Sequence, residues 1–127
     1  MIFVKELLAT LKKNKVNFYA GVPDSVLKNF TNLLGNSTKY HIIAPNEGSA
    51  VSIGLGYYLS KKKVACVYMQ NSGLGNALNP LISLVDKRVY SIPMVLIIGW
   101  RGAPNTKDEP QHKSKGKITK DLLRLLK

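Results

Sequence analysis

Acidic residues are scarce in this chain: seven Asp and Glu stand against nineteen Lys and Arg in 127 residues, a formal net charge of +12 at pH 7. Cysteine is scarcer still. A single cysteine, Cys66, excludes a disulfide or a cysteine-based metal site within the chain. It sits in the apolar run 64–69, where a core thiol is expected rather than a nucleophile. No apolar stretch approaches the roughly eighteen residues of a membrane span, and the N-terminus lacks the order of a signal peptide. The expected setting is cytoplasmic, with no membrane contact. Nucleic-acid chemistry is also missing: the basic residues fall in short groups (Lys12, Lys13, Lys15; Lys61 to Lys63; Lys113, Lys115, Lys117, Lys120) with no aromatic interleaving. That pattern describes a solvated lysine-rich surface, an anionic substrate or an acidic partner rather than a nucleic-acid binder.

At 45% hydrophobic and 20% charged, the chain reads as one globular domain over residues 1–127 with a real core. Apolar spacing predicts helices over residues 2–14, from Val26 to Leu34 with Gly35 as the stop, over 49–59, over 77–85, and from Ile118 to the terminus. Between them lie short apolar runs that read as strands: 16–20, 40–44, 63–69 and 91–98. The segment from Gly102 to Lys117 reads as a polar loop. Strands that are apolar throughout are those covered on both faces, so alternation of the two element types implies an α/β fold, a parallel sheet with helices on both faces.

In such sheets ligands collect at the carboxyl ends of the strands. Each of the four turns at those ends carries unusual polar chemistry: Asp24 and Ser25, Asn46 and Glu47, the run Asn71 to Asn76, and Trp100 with Arg101. Glu47 stands out, because it joins an apolar strand to an apolar helix with Asn46 available as the N-cap. Its bland alternative is an ordinary first-turn glutamate satisfying helix amides. Asp24 is equally suited to capping the helix that follows it. His41, inside the second strand, is expected to be packed rather than catalytic.

Six stretches taken together carry a resemblance: Gly21-Val22-Pro23-Asp24-Ser25, Asn46-Glu47-Gly48, Tyr68 to Asn76 (Tyr-Met-Gln-Asn-Ser-Gly-Leu-Gly-Asn), Tyr90 to Met94, Gly99-Trp100-Arg101-Gly102, and Lys107-Asp108-Glu109-Pro110-Gln111-His112. In this order they resemble the phosphonopyruvate decarboxylase family, specifically the N-terminal pyrimidine-binding domain of these thiamin diphosphate-dependent enzymes. The alpha subunit of sulfopyruvate decarboxylase is the nearest alternative. The resemblance implies that Glu47 is the catalytic carboxyl hydrogen-bonded to the cofactor's pyrimidine ring. Asp24 would transfer a proton or orient substrate. Asn71, Gly73 and Gly75 would line the pyrimidine, and Arg101 and His112 would take the anionic end of a small 2-keto acid.

Family members bind the diphosphate and its Mg2+ through a second domain marked by Gly-Asp-Gly and a downstream Asn, and that motif is absent from these 127 residues. The pyrimidine-binding fold also lacks its expected last strand. The resemblance therefore implies that this chain holds no metal itself and that a diphosphate-binding domain or subunit completes the site in an oligomer. Alternatives are a fragment of a longer protein, or a truncated, non-catalytic interaction domain.

Overall fold

The computed structural model describes residues 3–37 and 40–126. Among the described residues, five α-helices and four strands alternate: α1 (Val4–Lys13), β1 (Phe18–Gly21), α2 (Lys28–Ser37), β2 (His41–Ile43), α3 (Glu47–Lys61), β3 (Ala65–Gln70), α4 (Leu74–Pro80), β4 (Met94–Gly99) and α5 (Pro110–Leu125). All strand pairings are parallel, in the spatial order β2-β1-β3-β4.

β3 is the centre of the molecule. It pairs with β1 on one side (Tyr19 opposite Cys66) and β4 on the other (Cys66 opposite Val95), and Ala65 to Met69 are all buried. Side chains alternate across a strand, and the two faces feed two cores. Val67 and Met69 pack with Ala50, Val51, Leu74 and Ala77 of α3 and α4, joined by Leu122 and Leu123 of α5. Cys66 and Tyr68 pack with Leu11, Phe30 and Leu34 of α1 and α2. Helices thus cover both faces, as the apolar strand pattern implies.

The strand order reverses between β1 and β3: the chain leaves β1 for an edge, then returns to β1's other side. A crevice forms outside the carboxyl ends of the strands at such a switch point.

Besides shifts of one to three residues at the strand ends and of one or two at the ends of α1 and α3, three helices differ from the sequence reading, each for a local reason. The last helix begins at Pro110, not Ile118; Pro at the first helical position costs no hydrogen bond and presets the backbone. Its polar stretch 111–117 is helical because Gly116 packs directly on the Gly102 backbone, at a spot where any Cβ would overlap the Gly102 carbonyl. Second, α2 starts at Lys28, since Asp24 Oδ1 accepts from the Val26 N–H (3.2 Å) and turns the chain first. It also runs past Gly35 to Ser37. Third, α4 starts at Leu74 after a 3-10 turn at Asn71–Gly73 and gives way at Pro80 to a π-helical turn, Leu81–Val85. Pro80 has no N–H to give, and the carbonyl of Asn76, one turn earlier, lies 2.9 Å from where a Cβ on Gly48 would stand. That contact lets α3 and α4 approach closely. Ile2, the expected first residue of α1, lies outside the described residues.

Candidate active site

Glu47 occupies the first turn of α3. Asn46 caps the helix, its Oδ1 accepting from the Ser49 N–H at 2.8 Å, as the N-cap assignment predicts. This cap satisfies a helix amide, so the Glu47 carboxylate is left for other work. Its Oε2 accepts from Asn76 Nδ2 (2.8 Å), while its Cγ and Oε1 lie across Gly73 where a Cβ would stand. The side chain is half-buried, held on one oxygen and backed by bare backbone.

Asp24 follows β1. Its Oδ1 accepts from Gln70 Nε2 (2.7 Å) as well as from the Val26 amide, and Gln70 Oε1 in turn accepts from Ser72 Oγ (2.7 Å). The Asp24–Gln70 bond bridges the ends of β1 and β3, at the switch point itself. The other oxygen, Oδ2, is buried without a hydrogen-bond partner among the described residues and lies against Gly99 at the end of β4, on the spot a Cβ would need.

Asn71 is buried, and its side chain is fully engaged: Nδ2 donates to the Arg101 carbonyl (2.9 Å) and Thr119 Oγ1 (2.9 Å), and Oδ1 accepts from the Arg101 N–H (3.2 Å). It pins the loop after β4, and the middle of α5, to the end of β3. Arg101 extends from that pinned loop. Its Nε and Nη2 donate to the two carboxylate oxygens of Asp108 (2.8 and 2.5 Å), and Nη1 donates to Ser25 Oγ (3.1 Å). Asp108 also accepts from the amides of Gly102 (2.8 Å) and Glu109 (2.9 Å). The hydrogen bonds from Arg101, followed by these amides, hold the Asp108 carboxyl far below the usual carboxylate range.

The turn after β3 is therefore the hub. Gln70 reaches Asp24, Asn71 reaches Arg101, and Gly73 admits Glu47, so three neighbouring positions tie together the expected site residues of three other junctions. Gly75 is exposed, with open space where a Cβ would go. His112, in the first turn of α5, meets the Arg101 loop through its backbone carbonyl, which packs on Gly102; its Nδ1 is buried without a partner among the described residues. Sequence reasoning had no role for Gln70, Asn76 or Asp108. Only Asp108 carries a usable signal, as one of seven acids in a basic chain.

His41 is half-buried with Nε2 2.7 Å from Tyr68 Oη, within the packed interior as expected. Burial lowers its pKa from 6.5. Burial, with the Cys66 thiol adding, pushes Tyr68 up to about 12, so the phenol keeps its proton. No helix among the described residues is long and apolar enough to cross a membrane.

Residues 1–122 match the family described as "Thiamine pyrophosphate enzyme, N-terminal TPP binding domain". The chain belongs to this family. Among relatives of the same family domain, a phosphonopyruvate decarboxylase of Streptomyces viridochromogenes is 41% identical over 126 residues, covering 98% of this chain and 31% of that protein. A sulfopyruvate decarboxylase subunit alpha of Methanococcus maripaludis is 39% identical over 109 residues, covering 85% of this chain and 63% of that subunit. The benzoylformate decarboxylase of Polynucleobacter necessarius superposes with a TM-score of 0.65 at 27% identity, over 80% of this chain and 19% of that one. The chain thus spans about a third of the length of the phosphonopyruvate decarboxylases it matches.

The TPP-binding assignment fits the residues present. The Glu47 carboxylate is fixed at a helix start, bound on one oxygen by Asn76 and seated in the space that a Cβ at Gly73 would fill.

Proposed function

We propose that this chain is the pyrimidine-binding half of a thiamin diphosphate-dependent 2-keto acid decarboxylase, converting phosphonopyruvate to phosphonoacetaldehyde and CO2. The observation that carries this reading is the Glu47 carboxylate, oriented by Asn76 and seated on Gly73. Sulfopyruvate is the second candidate substrate, because relatives at nearly the same identity are named for it.

When bound, thiamin diphosphate supplies the nucleophilic carbon and the electron sink that loss of CO2 requires. This chain's residues orient, protonate and exclude water. The carboxyl of Glu47, oriented by Asn76, would share a hydrogen bond with a ring nitrogen of the pyrimidine. Backbone at Asn71, Gly73 and Gly75 lines the ring. Asp24, anchored on one oxygen by Gln70 and with no hydrogen-bond partner on the other among the described residues, carries a proton to or from the substrate carbons. Arg101 takes the phosphonate or sulfonate, with His112 assisting from the start of α5.

The diphosphate and Mg2+ belong to a second domain or subunit, in a cytoplasmic oligomer whose active site spans the two halves. Two measurements test the reading. Glu47→Ala in the completed assembly should abolish CO2 release from either keto acid while the assembly survives size-exclusion chromatography; full activity in this variant would overturn the assignment of Glu47. Calorimetry of this chain alone should detect little or no thiamin diphosphate binding, and tight Mg2+-dependent binding would contradict a partner-held diphosphate.

A further inference from the structure

Arginine offers five N–H donors. In Arg101, Asp108 takes the Nε–H and one Nη2–H, and Ser25 Oγ takes one Nη1–H. Two N–H groups remain, one on each terminal nitrogen. They belong to a guanidinium that cannot swing: its backbone is clamped by Asn71 through two hydrogen bonds, and its planar fork is matched by a carboxylate that is itself fixed by the amides of Gly102 and Glu109. The neighbouring Trp100 is anchored as well, its Nε1 donating to the Gly116 carbonyl at 3.0 Å. Beside this assembly lies an open cleft of about 310 Å3, bordered by Ser25, Trp100, Arg101, Thr106, Lys107 and Asp108. Lys107 is the second basic residue bordering that cleft; the Thr106 hydroxyl donates to the Ala103 carbonyl (2.6 Å) and the Ser25 hydroxyl to Asp24 Oδ1 (3.5 Å), so the two cations are the cleft's donors.

We propose that Asp108 is a positioning residue for substrate: it holds Arg101 so that the two remaining N–H groups, with Lys107 alongside, bind the oxyanion tail that distinguishes the substrate from a simple 2-keto acid. A flexible arginine would lose side-chain freedom on binding the tail. This one has lost it already, so the tail meets a preorganised fork. Asp108 keeps its negative charge, but both of its oxygens are occupied by Arg101 and by two amides, which leaves the guanidinium's remaining N–H groups to meet the tail. Lys at the Arg101 position would keep the charge but present no planar fork to Asp108 or to the tail.

This inference rests on Arg101 as the tail contact in the proposed function, so two readouts separate their failures. In the completed enzyme, kcat/KM is measured for phosphonopyruvate and for pyruvate, which lacks the tail. Asp108→Asn should lower the phosphonopyruvate-to-pyruvate ratio of kcat/KM at least tenfold, chiefly through KM for phosphonopyruvate. Arg101→Lys should lower it similarly, and the double variant should lose little more than either single one, because the two residues act as one unit. A merely structural role for Asp108 would reduce both substrates in parallel and leave the ratio unchanged, which would overturn the proposal. The second readout needs no turnover: calorimetry with phosphonoacetate as probe. The native protein should bind it, and Asp108→Asn should weaken binding about tenfold. If the native enzyme releases no CO2 from either acid but this difference in phosphonoacetate binding is found, the decarboxylase reading falls and the anion cleft stands. If phosphonoacetate fails to bind, or binds both proteins equally, the cleft proposal fails whatever the activity. Should Asp108→Asn not fold, Arg101→Lys carries the same comparisons, since it leaves Asp108 its two amide donors.

Discussion

The Glu47 side chain lies on Gly73 with its Cγ and one carboxylate oxygen in the volume that a Cβ at position 73 would occupy. Two elements far apart in sequence, the start of α3 and the 3-10 turn after β3, therefore meet through a missing methyl group. Gly73 has a negative φ, and its backbone is ordinary helical geometry; only the close approach requires glycine.

Replacing it tests that relationship directly. Gly73→Ala should leave the sheet and both cores intact by circular dichroism, because the atoms nearest the added methyl all belong to the Glu47 side chain. It should displace the carboxylate by the order of 1 Å, and a misplacement of that size costs about 10²-fold in turnover of a positioned reaction. Steady-state kinetics of the completed assembly measures it. A variant with native turnover would show that the carboxylate's position is not critical.

Asn71 makes three hydrogen bonds from a buried side chain, so its removal takes the partner from the half-buried Arg101 N–H and carbonyl and from the buried Thr119 hydroxyl. Each unsatisfied buried group costs about 1–3 kcal/mol. Asn71→Ala should therefore destabilise the fold by about 2–4 kcal/mol in urea unfolding. The same change releases the loop that carries Arg101, and phosphonoacetate affinity should fall with it. A loss under about 0.5 kcal/mol would be surface-like and would contradict the clamp.

The His41–Tyr68 pair makes stability depend on pH near neutrality. Burial sets the folded His41 pKa below its ordinary 6.5, so the unfolded chain binds the proton more tightly than the folded one. The stabilisation is complete above about pH 6.5 and is lost as pH falls through the lowered folded value. In the protonated imidazole Nε2 is a donor, so the Tyr68 hydroxyl then accepts this bond. NMR titration of the imidazole should give a midpoint under 6.5, and His41→Gln should remove this segment of the stability–pH curve. A midpoint at or above 6.5 would reverse the sign.

Gly116 and Gly102 define how α5 reaches the sheet. Gly102 has φ +65 and a would-be Cβ that overlaps the His112 carbonyl, and Gly116 sits directly on the Gly102 carbonyl. Overpacking a tight contact costs about 1–3 kcal/mol. Gly116→Ala should cost at least that much and should break the Trp100 Nε1 bond to the Gly116 carbonyl, visible as a red shift of the Trp100 fluorescence as the indole is wetted. Trp100 is the only tryptophan in the chain.

The parallel sheet was legible because β3 and β4 read as unbroken apolar runs, and only strands covered on both faces can afford to. The Glu47 junction was legible for a different reason: Asn46, Glu47 and a following apolar run form a capped helix start that needs no tertiary information. The beginning of α5 was not. Residues 111–117 contain three lysines, a serine and a glycine, which lack apolar periodicity; what makes them helical is the fit of Gly116 against Gly102, a contact between residues fourteen apart. The wiring of the site was equally hidden. Gln70 to Asp24, Asn76 to Glu47 and Arg101 to Ser25 join positions separated by 46, 29 and 76 residues, and no local pattern encodes such pairings. The alternation of strands and helices indicated which residues gather at the sheet edge, and the three-dimensional arrangement shows which neighbour holds each.

Cys66 lies at the middle of β3 with no exposed surface, and burial pushes its thiol up to about 12. Alkylating reagents attack the thiolate, so iodoacetamide can modify this chain only after the central strand separates from β1 or β4. With no second thiol in the sequence, each adduct counted by mass spectrometry is one opening of the core, and the labelling rate becomes a clock for breathing of the sheet. Run with and without the diphosphate-binding half, that clock would report how much of the domain's rigidity is its own and how much is lent by association.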